Sequence, residues 1–451
     1  MSAQTASRRH FLKLGSAAGV LSMLPRFAVA NDLDNPHTAW FRKAKFGMFI
    51  HWGPYSLASV EASWPIMRPS GKWNISEAEY RSLWKRFNPT KYDPDHFIDL
   101  ARSAGQQYMV FTTKHHDGFC MFDSDYTDYK ITKTPYGKDI VGMLADACKR
   151  REMPLGFYYS PPDLTHPGFR DTSKLAKENW NGEPNRPEWS SYLNYMELQL
   201  TELLTRYGDC KIIWFDGLNH QQKYDGQRFL RLIHTLQPKT LVNDRIGVRG
   251  DFVTPEQFIP KAIPTKDVEV RGADPSIAFH QGVPQASEFQ LWETCMTINK
   301  TWAYNANDRD FKSTQELIRA LIEVASRGGN FLLNIGPQPD GLVQPEFQER
   351  LRGIGDWLEI NGESIFDTIY GPIQNVAGIR TTSGRDHVYV HLFDPPNGSL
   401  VLPDFARKVA SVRLLATSQL VRFSQTEQEV TIQIVDLPRT SSVNVLALRL
   451  I

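Results

Sequence analysis

Residues 211–220 read KIIWFDGLNH, an apolar run that stops on Asp216 and Gly217. A carboxylate at the end of a buried stretch costs free energy unless it is paired or does chemistry. The competing explanation is a chain reversal, which Asp-Gly also marks. The pattern recurs along the chain. FGMFIHWG brings an apolar run to His51, QYMVFTTKHHDGF to His115-His116-Asp117, PLGFYYSPP to Tyr158-Tyr159, and TLVNDR to Asn243-Asp244-Arg245. Acids, imidazoles, a phenol and a guanidinium collected in this way suit proton transfer, attack by a carboxylate and hydrogen bonding to a polar ligand. His115, His116 and Asp117 also have the residue types of a two-His, one-carboxylate metal triad. Adjacent strand residues point to opposite faces, so the two imidazoles are not expected to share an ion, and Asp117-Gly118 reads as the turn after the strand.

These side chains need a scaffold that brings strand ends together. The runs at 46–53, 107–119, 154–162, 211–217, 240–245 and 330–337 are continuous apolar strands. Between them, KDIVGMLADACKRR, SSYLNYMELQLTELLTRY, DGQRFLRLIHTLQ and TQELIRALIEVASRG carry apolar residues at helical spacing. Buried strands alternating with helices predict an α/β fold built on a parallel sheet. The length favours a (β/α)8-like barrel, and no GxGxxG supports a dinucleotide fold. In a barrel, the C-terminal strand ends converge on one mouth. Beyond residue 365, HVYVHLF, EVTIQIVDL and SVNVLAL alternate with period two between turn residues such as PPNG, which predicts an appended antiparallel β-sandwich. The expected organisation is a catalytic barrel over 31–365 and a sandwich over 366–451.

The N-terminal stretch SRRHFLKLGSAAGVLSMLPRFAVA, residues 7–30, pairs Arg8-Arg9 with a short apolar segment and an Ala28-Val29-Ala30 cleavage site. It resembles a twin-arginine export signal over residues 1–30, which implies a periplasmic or secreted mature protein. The apolar stretch is too short and too interrupted for a membrane anchor. Removing it takes away four cations and no acids, leaving 47 basic against 50 acidic side chains. That near balance gives no field for nucleic acid or an anionic membrane. Aromatic residues make up 12% of the chain, a supply of the ring faces that sugar-binding clefts use. Cys120, Cys148, Cys210 and Cys295 are scattered without CxxC or zinc spacing, so free buried thiols are expected.

FGMFIHWGPYS, TKHHDGFCMFDS, GFYYSPPD, WFDG, VNDRIG, WETC with WAYN, and GGNFLLNIGPQPDG stand in one order across roughly residues 39–370. Together they resemble glycoside hydrolase family 29, the α-L-fucosidases. The resemblance implies a somewhat irregular barrel, a C-terminal β-domain, no metal or other cofactor, and a retaining double displacement on fucosylated oligosaccharides or glycoconjugates. It assigns Asp216 as nucleophile. Glu256, in GDFVTPEQFIP and expected in a loop over the mouth, is the matching acid/base. Glu293, in QLWETC, is its competitor, with contact to the sugar as its other role. His51, His115 and His116 match residues that bond sugar hydroxyls, and Trp64, Tyr158, Trp214, Arg245 and Trp302 match the pocket wall. The chain departs from the pattern at Ser63-Trp64, where many members carry Glu-Trp, so one carboxylate contact to the sugar is in doubt. The alternative function is a catalytically silent fucose-binding protein on the same fold, which would need to lack one of the two carboxylates.

Overall fold

A computed structural model describes residues 32–174, 182–217, 224–267, 283–394, 396–435, 437 and 443–451. The export signal expected over residues 1–30 lies outside them. Seven strands form one parallel sheet: β1 (Phe46–Ile50), β2 (Tyr108–Lys114), β3 (Leu155–Tyr159), β4 (Cys210–Phe215), β5 (Leu241–Val242), β6 (Glu293–Thr297) and β7 (Asn330–Ile335). Their order is β5-β4-β3-β2-β1-β7-β6. Nearly every residue in them is buried, because helices cover the outer face and side chains fill the inner one.

The ring closes through a segment that is not a regular strand. Residues 251–257 run between the two sheet edges: Asn243 bridges Phe252, Val253 bridges Trp292 and Glu256 bridges Cys295, all in parallel. Asp251 N–H donates to the Val242 carbonyl, and Gln257 N–H to that of Cys295. Pro255 brings no N–H to this ladder, and Gln257 has a φ of 60°, so the run stays a set of bridges. The expected eightfold barrel is therefore seven strands and one bridged wall segment. Glu256, expected in a loop over the mouth, sits in that wall.

Outside the ring lie α4 (Pro94–Ser103), α5 (Ile140–Arg150), α6 (Trp189–Arg206), α7 (Gly226–Leu236), α8 (Thr314–Ser326) and α9 (Pro345–Asn361), with the shorter α1 (Ala39–Ala44), α2 (Trp64–Met67) and α3 (Glu77–Ser82) before them. Their starts are written in the sequence. Asp93 accepts from Asp95 N–H ahead of Pro94, Asp139 accepts from Gly142 N–H, and Ser313 forms a capping box with Glu316.

The C-terminal part holds an antiparallel sheet ordered β12-β15-β10-β9-β8 and a three-stranded sheet β11-β14-β13. Its strands are β8 (Ile369–Tyr370), β9 (Ile379–Ser383), β10 (His387–Leu392), β11 (Ser399–Pro403), β12 (Val409–Leu414), β13 (Phe423–Gln425), β14 (Glu429–Gln433) and β15 (Asn444–Leu450). Alternation along β15 decides the packing. Leu446 and Leu448 join Leu400, Leu402, Val430 and Ile432 in the sandwich interior, while Val445 and Ala447 join the barrel core. Trp357 of α9 ties the two together, its indole N–H donating to the Val443 carbonyl at 2.9 Å.

Gly355 in the middle of α9 explains how closely that helix approaches α4, since a Cβ there would lie 1.7 Å from the Ser103 carbonyl oxygen. An Ala in an open helix would gain about 1 kcal/mol of propensity, but overpacking against backbone costs about 1–3 kcal/mol. Gly355→Ala is accordingly expected to lower the urea midpoint. An unchanged or raised midpoint would show that α4 and α9 do not meet this closely.

Candidate active site

The C-terminal ends of β1 to β5, with the wall segment, deliver the candidate residues to one place. Arg245 stands at its centre, 3% exposed. Its Nη1 donates to Asp216 Oδ1 and to Glu256 Oε2, each at 2.9 Å. Its Nε and Nη2 are held by the Thr254 hydroxyl and carbonyl at 2.8 Å, and its guanidinium lies 4.7 Å over the Trp214 ring. Burial opposes this charge, but Glu256 and Asp216 outweigh it, so the guanidinium stays cationic.

One cation thus serves two acids whose surroundings differ. Burial works to raise the Asp216 carboxyl; the hydrogen bond and charge of His116, then Arg245 and His115, overcome it and hold the group well below the usual range. Tyr158 OH donates to its Oδ2 at 2.8 Å. For Glu256, burial is again the largest influence, and Arg245 lowers while Asp216 raises; the net direction is upward. Both carboxylates keep an opening to solvent, with side chains 15% and 19% exposed. The arrangement offers an ionised carboxylate beside a carboxyl biased toward its protonated form.

Three imidazoles line the same place. His51 Nδ1 lies 2.7 Å from Asn334 Oδ1, and Asn334 uses its Nδ2 on the Trp302 carbonyl. An amide oxygen only accepts, so Nδ1 carries the proton and Nε2 remains an acceptor. Burial pushes His51 down to about 4. His115 is also pushed well down, by burial first and then by His116 and His51. Its Nδ1 lies 2.6 Å from Ser63 Oγ, which accepts from Asp117 N–H. His116 Nδ1 meets Ser160 Oγ at 2.5 Å; that hydroxyl already donates to the Pro162 carbonyl, so the imidazole is the donor. His51 and His115, held neutral by burial, suit hydrogen bonding to a polyhydroxyl ligand, while His116 turns its Nε2 to Asp216 Oδ2 at 3.4 Å.

His115 and His116 do not face apart. Strand β2 ends at Lys114, so the pair lies beyond the pleat; their ring centroids are 4.3 Å apart. Ligand atoms of His115, His116 and Asp216 fall within 4.8 Å of one another. Charge still disfavours an ion, since the buried Arg245 guanidinium already occupies Asp216 and a divalent cation would sit against it. Asp117 does shape the turn, accepting from Phe119 N–H and Tyr80 OH while Gly118 takes a φ of 83°.

Glu293 is not at the mouth. It is 0% exposed beneath Trp214, accepting from the Trp214 indole at 2.9 Å and from Tyr108 OH. Burial pushes it up to about 7, but both oxygens are engaged inside the barrel. It holds Trp214 from beneath and has no surface at the mouth, where the sugar contact was expected. Trp302 stacks obliquely on His51 with centroids 4.9 Å apart, and Trp64 opens α2 next to Ser63, with Arg68 4.5 Å over its ring. The sequence reading missed four supports: Asn334, Ser160, Thr254 and Glu61. Glu61 takes the backbone N–H groups of Trp302 and Ala303 at 2.8 and 3.0 Å. Asn334 and Ser160 were open to discovery by the same sign that singled out Asp216, a polar residue at a strand's C-terminal end. Glu61 and Thr254 carry no such mark.

The α-L-fucosidase family profile matches residues 27–363. The plasma α-L-fucosidase of Homo sapiens is 30% identical over 426 residues, spanning 86% of this chain and 84% of its own length. Among solved structures, α-L-fucosidase isoenzyme 1 from Paenibacillus thiaminolyticus superposes with a TM-score of 0.80 at 31% identity, covering 92% of this chain and 99% of the other. A family 29 α-L-fucosidase from Bacteroides thetaiotaomicron, described as a trapped covalent intermediate with 2-fluoro-fucosyl fluoride, gives 0.78 at 27% identity, over 92% and 96% of the two chains. With its own carboxylate pair and histidines set at the mouth of the same barrel, the chain belongs to the α-L-fucosidases of glycoside hydrolase family 29.

Proposed function

We propose that this α-L-fucosidase releases terminal L-fucose from fucosylated glycans with net retention, and that it acts after export. The observation that carries retention is the shared nitrogen of Arg245. Two oxygens each 2.9 Å from one atom are at most about 6 Å apart. For these two oxygens that ceiling admits the ~5–5.5 Å of a retaining pair and falls short of the ~6.5–9.5 Å that leaves room for a direct water. The trapped covalent intermediate described for the Bacteroides thetaiotaomicron relative supports the same course.

Asp216, ionised, attacks the anomeric carbon while Glu256 donates its proton to the departing glycosidic oxygen. The C–O bond breaks and a fucosyl ester on Asp216 forms. Glu256, now a carboxylate, removes a proton from water as that water displaces Asp216 from the same carbon. Arg245 stabilises whichever carboxylate carries charge at each stage. His51, His115 and His116 take the sugar hydroxyls. Trp64 and Trp302 offer ring faces to the C5 methyl of a sugar that lacks a 6-hydroxyl. A silent binding protein on this fold would lack one of the carboxylates, and both stand.

Substitutions separate the roles. Asp216→Asn should abolish turnover on every substrate while the fold persists. Glu256→Ala should cut hydrolysis of natural fucosides about 10²–10⁴-fold and aryl fucosides far less, with azide restoring turnover and giving a fucosyl azide of retained configuration. Glu293→Ala should depress all substrates alike without rescue. Rescue of Glu293→Ala alone would transfer the acid/base role to it.

The pH profile of kcat/KM tests the same pair. Asp216 must be ionised, so activity falls only at pH values far on the acid side, where its depressed carboxyl protonates. Glu256 must be protonated, so activity falls as pH rises through its elevated carboxyl. Glu256→Gln, assayed on an aryl fucoside, should lose the alkaline limb and keep the acid side. An alkaline limb that survives in this variant belongs to another group.

Export rests on Arg8-Arg9 and the Ala28-Val29-Ala30 site. Mature protein from the periplasm should begin near Asn31, and Arg8→Lys with Arg9→Lys should leave precursor in the cytoplasm. Periplasmic material retaining Met1 or Ser2 would refute cleavage.

A further inference from the structure

On the face of the barrel opposite the active-site mouth, three chain segments bring together groups that the fucosidase reaction does not use. His37 precedes α1, which leads into the start of β1. His234 lies in the last turn of α7, just before β5, and Asp251 opens the wall segment beside Val242. One ligand atom from each falls within 4.8 Å of the other two. His37 Nε2 lies 3.5 Å from Asp251 Oδ1, near the ~3.3 Å that separates two ligands on a tetrahedral ion bound at about 2.0 Å. Asp251 is oriented for this: its Oδ2 accepts from Val242 N–H at 2.8 Å, which fixes the carboxylate and turns Oδ1 toward His37. The two imidazole rings meet edge-on, with centroids 6.3 Å apart and planes at 83°. All three residues are partly exposed, so an ion can enter from solvent.

We propose that His37, His234 and Asp251 form a binding site for a divalent transition metal of the zinc class, with water completing the coordination. Two imidazoles and one carboxylate are a borderline donor set that suits Zn²⁺ and discriminates against Mg²⁺ and Ca²⁺, which take oxygen ligands. Among the described residues the cluster holds no candidate ligand beyond these three, so the consequence of the ion is mechanical. The ion clips the segment leading into α1 to α7 and to the wall that carries Glu256. It joins residues far apart in the chain, the case in which a cross-link restricts the unfolded ensemble most. Neighbouring contacts already hold the segment: Asp32 accepts from Leu291 N–H and pairs with Lys266 at 3.4 Å. The metal would complete that attachment.

The test uses mature, tag-free enzyme stripped with chelator and dialysed against buffered ZnCl₂ or CoCl₂. Bound metal is measured by elemental analysis, alongside thermal unfolding and activity on an aryl fucoside. One equivalent of zinc should bind and raise the unfolding temperature by mass action, with turnover unchanged. Cobalt should give the visible bands of a four-coordinate nitrogen–oxygen site. His234→Ala and His37→Gln should each weaken uptake by at least the ~10–100-fold that even an outer-shell partner is worth, with activity retained. If one variant fails to fold, the other decides. Absence of uptake by the unsubstituted enzyme overturns the proposal, as does uptake that both variants preserve. Uptake that inhibits turnover and is displaced by fucose would place the ion on His115, His116 and Asp216 instead, and also overturns it.

Discussion

A single guanidinium nitrogen holding two carboxylates is the constraint around which the barrel mouth is organised. Arg245 cannot lose its proton under these conditions, so it lowers the cost of burying negative charge wherever that charge resides. Asp216 receives further support from His116 and Tyr158 and stays ionised. Glu256 shares the cation, but the Asp216 charge opposes its ionisation, and its burial is not repaid to the same degree. The difference between the proposed acid and the proposed nucleophile therefore comes from unequal shares in one cation. Because Arg245 is tethered to Thr254, two residues before Glu256 in the same wall segment, its position and that of the acid are set by one piece of backbone.

The irregular wall makes that coupling possible. A regular eighth strand would continue pairing past Glu256 and point alternate side chains away from the mouth. Here isolated bridges to β5 and β6 keep the segment in the ring, while Pro255 and the positive φ of Gln257 release it from strict alternation. Below it, Trp214 carries Arg245 over its ring and donates its indole N–H to Glu293, a fully buried carboxylate that also feels the Arg245 charge but makes no hydrogen bond to it among those seen. A raised carboxyl alone would not distinguish Glu293 from Glu256. Access to solvent and to Arg245 does.

Much of this was legible in the sequence because burial and chemistry leave opposite marks. The strands later seen as β1 to β5 and β7 are apolar runs with polar ends, and Asp216, Arg245 and the histidines sit on those ends. Strand β6 escaped because ETCMT is neither continuously apolar nor cleanly alternating, and α4 and α9 were passed over despite an Asp93-Pro94 start and a Gln344-Pro345 start. Short C-terminal strands were unread for a related reason: β8 and β13 are two and three residues long, too short to show a period, and β11 (SLVLP) is apolar through its middle and pairs across several elements with β14. The reading of His115 and His116 as facing apart was wrong by one residue. The rule of alternation is sound, but β2 ends at Lys114, and boundaries are the least legible part of any element.

Ser63 shows how a departure in sequence is absorbed locally. Its hydroxyl is committed to His115 Nδ1 and Asp117 N–H, and its backbone N–H to Tyr80 OH, so it faces the turn. Glu61, two residues earlier, does not replace a missing carboxylate contact. Its oxygens take the N–H groups of Ala62, Trp302 and Ala303, and burial lifts its carboxyl to about 7. It therefore acts on the ligand wall by fixing where Trp302 begins, while Asn334 holds the Trp302 carbonyl and the His51 tautomer together. The groups this side of the mouth offers to a ligand are then the uncharged imidazoles of His51 and His115. That keeps further negative charge away from Glu256, whose protonated form would otherwise be favoured too strongly for the acid/base role proposed for it.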